Sequence, residues 1–142
     1  MDLVSLRQSL ENVIPRLNGI ILQVLDDHET QIKELIHIQL RKGERGDGQL
    51  ISPQYSDAYA RKKGFTVPDL KVDGSFWDSI YTEPENQVLK IDSNIKTRKG
   101  FELGQHLQKR YINMILELIK SSREKLLSLI GNDLYKAIFK II

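Results

Sequence analysis

Apolar residues recur at steps of three and four along the first third of the chain: Leu3, Leu6, Leu10, Val13 and Ile14, Leu17, Ile20 and Ile21, Val24 and Leu25, Ile32, Leu35 and Ile36, and Leu40. That spacing draws one stripe on a helical surface. Pro15 falls inside it. Proline lacks an amide hydrogen and crowds the preceding turn, so a short helix over residues 2–13 is expected, then a longer one opening at Pro15. Gly19 weakens the second helix without ending it. The run from Lys42 to Gly48 does end it. Its three glycines carry a high backbone entropy, so residues 43–49 are expected as a flexible loop, either a plain connector or an arm that orders on a partner.

The pattern then changes period. Leu50-Ile51 is short enough to start a strand. Tyr55 and Tyr59 lie four apart, which one helical turn sets on one face, and Gly64 closes that turn after Arg61-Lys62-Lys63. Pro68 to Gly74 alternates as a half-buried strand does. Phe76, Trp77, Ile80 and Tyr81 follow as the large apolar mass of the middle. Ile80-Tyr81-Thr82 and Val88-Leu89-Lys90-Ile91 flank Glu83-Pro84-Glu85-Asn86-Gln87, which predicts a hairpin.

The last third returns to helical spacing. Leu107, Tyr111, Met114 and Ile115, and Leu118 and Ile119 fall on one face. Ser121-Ser122-Arg123-Glu124 has the S-x-x-E form of a capping box, so a fresh helix is expected to start near Ser122. Gly131-Asn132-Asp133 reads as a second break before the final apolar run. The order predicts an α+β fold of N-terminal helices, a small antiparallel β-hairpin or sheet, and C-terminal helices, in a single domain over residues 1–142. Its parts are a helical stretch 1–42, the loop 43–49, a mixed β core 50–95 and helical material over 105–142.

Composition narrows the function classes. The chain has 142 residues, 40% hydrophobic and 28% charged, which suits an ordinary globular core. It has no cysteine, which excludes a disulfide scaffold, a thiolate zinc site and a cysteine nucleophile together. Lys and Arg number 21 against 19 Asp and Glu, a balance that does not announce a nucleic-acid binder. No apolar stretch reaches the roughly 18 residues of a membrane span, and no basic region leads into an apolar run near Met1, so neither a membrane anchor nor a secretory signal is expected.

Candidate chemistry is sparse. Glu34 and His37 share a helical face, yet a carboxylate-bridged metal site needs that pair twice, so an ordinary polar face is the better reading. Asp26 and Asp27 are adjacent and diverge on a helix, which suits a solvated face rather than an acid–base dyad. Ser75 follows Gly74 with no partner base nearby and no G-x-S-x-G elbow. Gly46-Asp47-Gly48 lacks the spacing of a phosphate loop. No catalytic residue, metal or cofactor is therefore expected. Arg61-Lys62-Lys63, with Arg41, Lys42 and Arg45, is the densest basic cluster, and tyrosines precede it. Such a patch can neutralise phosphates while the rings stack on bases, although a solvated or subunit-facing patch fits the balanced charge better. Lys96, Arg98 and Lys99 form a second cluster. Ile138, Phe139, Ile141 and Ile142 put apolar mass at the end of the sequence, where it docks on the chain's own core or on a neighbour.

The run from Tyr55 to Gly64, then Pro68-Asp69-Leu70, then Asp73-Gly74-Ser75-Phe76-Trp77-Asp78-Ser79-Ile80, resembles small structural proteins of phages that infect Bacteroidetes, including crAss-like phages. It is similar more widely to neck and tail-completion proteins of tailed phages. Those read as an N-terminal helix, a Y…Y…K-G segment, a D-L…G-x-F-x-x-S segment leading into a hairpin, and C-terminal helices. The resemblance covers roughly residues 50–135 and rests on Tyr55, Tyr59, Gly64, Asp69, Leu70, Gly74, Phe76 and Trp77 as structural positions. The sequence departs from the wider group at Phe101-Glu102-Leu103-Gly104, where no proline follows.

The resemblance implies a non-enzymatic virion protein, made in the bacterial host cytoplasm. It implies a cyclic homo-oligomer that joins portal and tail through contacts with the portal and with other neck or tail proteins. Arg45, Arg61, Lys62, Lys63, Lys96, Arg98 and Lys99 would then face a neighbour or, without reading sequence, the packaged DNA. The alternative is a small regulatory or nucleic-acid-binding domain that uses the Arg61–Lys63 patch.

Overall fold

The computed structural model describes residues 2–85, 88–96, 107, 110–111 and 114–140. Helix α1 runs over Leu3–Asp27 and α2 over Glu29–Arg41. Short helices α3 (Asp57–Lys63) and α4 (Ser75–Asp78) precede strands β1 (Ile80–Glu85) and β2 (Val88–Ser93). Helix α5 spans Lys120–Phe139. The expected α+β class holds, with helices dominant.

The N-terminal break lies at His28 and not at Pro15. Pro15 stands inside α1 at an exposed position, and the helix continues through it. At His28 the chain turns. The ring reaches back to the Val24 carbonyl at 2.7 Å and across to Asp133 Oδ2 of α5 at 3.0 Å. One residue thus closes α1, opens α2 and meets the C-terminal helix.

The predicted hairpin is present. β1 and β2 pair antiparallel from Ile80 opposite Ser93 to Glu85 opposite Val88. The strands run longer than expected, because Glu83, Pro84 and Glu85 continue β1. Positions 86 and 87 lie outside the described residues. Ile80 and Thr82 turn inward, and Ile32, Ile36 and Leu40 of α2 form the centre of the core with Ile51, Trp77, Ile115 and Ile130.

The predicted strand over residues 68–74 is absent. Its backbone donors are spent on side chains instead. Asp69 N and Leu70 N donate to the Tyr55 hydroxyl, and Lys71 N donates to Asp69 Oδ1. Ser75 N donates to Asp73. A segment bonded this way has no ladder left to offer. The strand start at Leu50-Ile51 shrinks to one bridge between Glu44 and Leu50.

Residues 43–49, read as a flexible loop, form a hydrogen-bonded turn that runs on to Ile51. Arg45 N donates to Gln49 O at 2.7 Å, Ile51 N to Gly43 O at 2.7 Å, and Gly46 N to Met114 O at 2.8 Å. The glycines serve close approach. A Cβ on Gly43, whose φ is +69°, would lie 2.3 Å from Val67 Cγ1, and one on Gly46 would lie 2.6 Å from Glu117 Cβ.

Three C-terminal expectations are also corrected. Residues 114–119 are not helical, and Met114 has a φ of +63°. Buried Gln39 holds this stretch: its Nε2 donates to Glu117 O at 2.6 Å and its Oε1 accepts from Ile119 N at 2.8 Å. Tyr111, Ile115 and Leu118 are buried all the same. Helix α5 begins at Lys120 with extended Ile119 as its cap, so Ser121 and Ser122 make no capping box. Nor does Gly131 break it. The roughly 1 kcal/mol penalty of a helical glycine is outweighed by Leu126 and Ile130 in the core and Leu134 and Ala137 against it.

Candidate assembly surface

Tyr55, Asp69, Leu70 and Trp77 come together as one bonded unit. Tyr55 precedes α3 rather than lying within it, and Ser56 caps that helix by accepting from Tyr59 N. The Tyr55 and Tyr59 rings meet edge to face, 4.8 Å between centroids. The Tyr55 hydroxyl donates to Asp69 Oδ1 at 2.9 Å and accepts from Asp69 N and Leu70 N at 3.2 and 3.1 Å. Burial and the hydrogen bond to Asp69 push its phenol well above the ordinary tyrosine range. Lys63 Nζ adds an ion pair to Asp69 at 3.1 Å and a bond to Lys71 O at 2.6 Å. Leu70 has a φ of +58°, a strained conformation for leucine, and the paired amides on Tyr55 hold it there.

Trp77 is 4% exposed and fills the core beside this unit. Its indole N–H donates to Asp69 O at 2.9 Å. His37 stacks on it at 5.2 Å and bonds Trp77 O through Nε2 at 2.9 Å, while Arg41 and Lys71 stand over its ring. His37 therefore supports tryptophan packing. Glu34 is exposed, and among the described residues no group of three metal-binding side chains gathers.

This unit backs a cleft of about 510 Å³. Tyr55, Tyr59, Leu70, Phe76 and Tyr111 give it an apolar lining, with Asp73, Ser75 and Arg110 among its polar groups. Asp73 accepts from both the hydroxyl and the amide of Ser75, which hold its carboxyl below the usual carboxylate range. The Ser75 hydroxyl is thus a donor to an anion.

Gly64 closes α3 in the left-handed conformation, as its position predicts, and Gly74 takes a φ of +92° ahead of α4. The basic residues divide. Lys63 turns in to Asp69, and Arg45 pairs with Asp47 at 2.6 Å. Arg61, Lys62 and Lys96 are exposed. Arg98 and Lys99 lie outside the described residues, as do His106, Ile141 and Ile142.

Among the described residues, the outer half of α1 is an uncovered apolar feature. Leu3 is 84% exposed, Leu10 54% and Ile14 57%, with Val4 and Leu6 beside them. A second set lies on α5, where Tyr135 and Phe139 are exposed and stacked on each other. The helical stripe was legible in the sequence. That its outer half would lack an intramolecular partner was not, because periodicity reports a face and not what covers it. Gln39 was missed as well, since nothing local marks a glutamine that tethers a segment far along the chain.

No protein-family model, curated protein or solved structure matches this chain. Among the described residues, no helix is long and apolar enough to cross a membrane.

Proposed function

We propose that this protein is a non-enzymatic assembly component, a ring-forming part of the neck or tail-completion region of a tailed phage. The observation that carries the reading is the uncovered apolar half of α1. Monomeric proteins seldom leave several large aliphatic side chains in a row in water, and such patches mark docking surfaces. The resemblance over roughly residues 50–135 supplies the more specific context. The bonded unit of Tyr55, Asp69, Leu70 and Trp77 gives those residue types a scaffolding purpose that suits a structural protein. In this reading exposed Arg61 and Lys62, at the end of α3, lie toward packaged DNA or a neighbouring subunit.

The reading is tested by mixing the purified chain with the portal protein encoded in the same genome and following both through a density gradient. Co-migration as a complex of defined stoichiometry supports a neck component. Separate migration under every salt condition, with salt-sensitive binding to DNA instead, favours the regulatory alternative.

A further inference from the structure

The outer half of α1 is apolar with a particular period. Leu3, Leu10 and Leu17 recur every seven residues, and Leu6, Val13 and Ile20 follow each by three. In heptad notation these are the a and d positions. A seven-residue repeat keeps an apolar seam facing a companion helix, whereas a helix lying on a globular core needs no such strict recurrence. Val24 continues the a series and is buried in the chain's own core, and Ile20 packs against that core. The seam therefore runs outward from a covered end to an uncovered one, where Leu3, Leu6 and Leu10 stand in solvent. Pro15 occupies an f position, on the far side, where its ring meets no partner.

We infer that the segment Leu3 to Leu17 docks in parallel against the same segment of other copies of this chain, in a bundle of three or more helices. This rests on the assembly reading above and names the partner of that surface. Charge fits the parallel orientation. In parallel register a g residue meets the e residue five positions on in the neighbour, which sets Asp2 against Arg7. The other g residues, Ser9 and Arg16, meet Ile14 and Ile21, so no like charges oppose. An antiparallel pairing of Leu3 with Val13 and Leu6 with Leu10 sets Asp2 against Arg16 but also Arg7 against its own copy, a like-charge contact that the parallel register lacks. Both charged groups can turn to a neighbour. Arg7 makes an exposed pair with Glu11 at 2.7 Å, which contributes little, and Asp2 uses one carboxylate oxygen on Ser5 N. Side-chain shape selects the number. Leucine at a with branched Val13 at d favours more than two strands, and apolar Ile14 at e widens the strip beyond a two-helix seam. The segment spans about 22 Å at 1.5 Å per residue, so it acts with other subunit contacts rather than alone.

The chain has no cysteine, so Leu3→Cys introduces its single thiol. Mild oxidation of that variant is expected to give a disulfide-linked pair, because parallel packing brings equivalent residues together. Leu6→Glu with Leu10→Glu is expected to lower the native mass while circular dichroism keeps its helical signal. Asp2→Arg should also lower the mass, and adding Arg7→Asp should restore it. An oligomeric wild type whose mass survives Leu6→Glu with Leu10→Glu, and whose Leu3→Cys form does not cross-link, overturns the seam and leaves the assembly reading standing. A wild type whose native mass is never more than that of two chains overturns the multiplicity. A wild type that stays monomeric at every concentration, with and without its portal partner, overturns both.

Discussion

The Tyr55 hydroxyl donates to the Asp69 carboxylate at 2.9 Å while accepting the Asp69 backbone N–H at 3.2 Å. This double link ties the entry of α3 to the segment that reads as a strand and is not one. Tyr55→Phe keeps the ring and removes the oxygen, stranding the Asp69 and Leu70 amides and releasing strained Leu70. A loss of about 1–3 kcal/mol is expected in urea unfolding. A variant as stable as wild type would show that water satisfies those amides equally well.

Tyr55 also predicts an alkaline response. Its folded pKa lies above that of the unfolded phenol, so its contribution to stability is full below about pH 10 and is lost as pH rises through the folded value. In an absorbance titration of the phenolates Tyr55 should ionise late, together with unfolding. Tyr55→Phe should flatten this part of the stability profile. An early, reversible titration of all tyrosines in the folded chain contradicts the burial that raises it.

Asp73 gives the opposite sign. Ser75 holds its folded pKa below the unfolded value, so its contribution is present above roughly pH 4 and falls away as acid carries the pH through the folded value. Asp73→Asn should match wild type in strong acid and be the less stable of the two at neutral pH. Equal melting temperatures across that window would leave the Asp73–Ser75 contact without energetic consequence.

Gln39 and Gly43 test how residues 43–51 and 114–119 are held. Gln39→Leu strands Glu117 O and Ile119 N, each at about 1–3 kcal/mol when buried. Gly43→Ala combines a positive φ with a 2.3 Å approach to Val67 and should be strongly destabilising. Gly19→Ala, in exposed helix with open space around it, should instead stabilise by roughly 0.5–1 kcal/mol. Melting temperatures that shift alike for the two glycine variants contradict the packing assigned to Gly43.

Trp77→Ala should cost about 3–5 kcal/mol, since the indole is buried against His37 and bonded to Asp69. As the sole tryptophan it also reports directly, and its fluorescence should be blue-shifted in the folded chain. A red, solvent-like emission that survives folding would place Trp77 at a surface.

The hairpin was legible because two short apolar runs, Ile80–Thr82 and Val88–Ile91, flank a polar segment that carries proline and asparagine. The Pro68–Gly74 segment alternates as a strand does, yet Tyr55 and Asp69 take its amides, a long-range effect that no local pattern carries. Helix ends were misplaced for a related reason. Pro15 and Gly131 are punctuation by propensity, but both fall at exposed positions of helices whose other faces are packed, and local propensity does not register that packing. The glycines of 43–48 read as freedom because their sequence does not show Val67 and Glu117 pressed against them. Of the assembly surface, the apolar stripe on α1 was visible from the start, and its vacancy only in the fold.

The native mass of the purified chain, measured by light scattering over a wide concentration range, tests the central claim that this protein works by docking onto copies of itself. A closed oligomer whose mass holds constant on dilution to working concentrations is the predicted result. A monomer at all concentrations, unchanged when the portal protein is added, contradicts it.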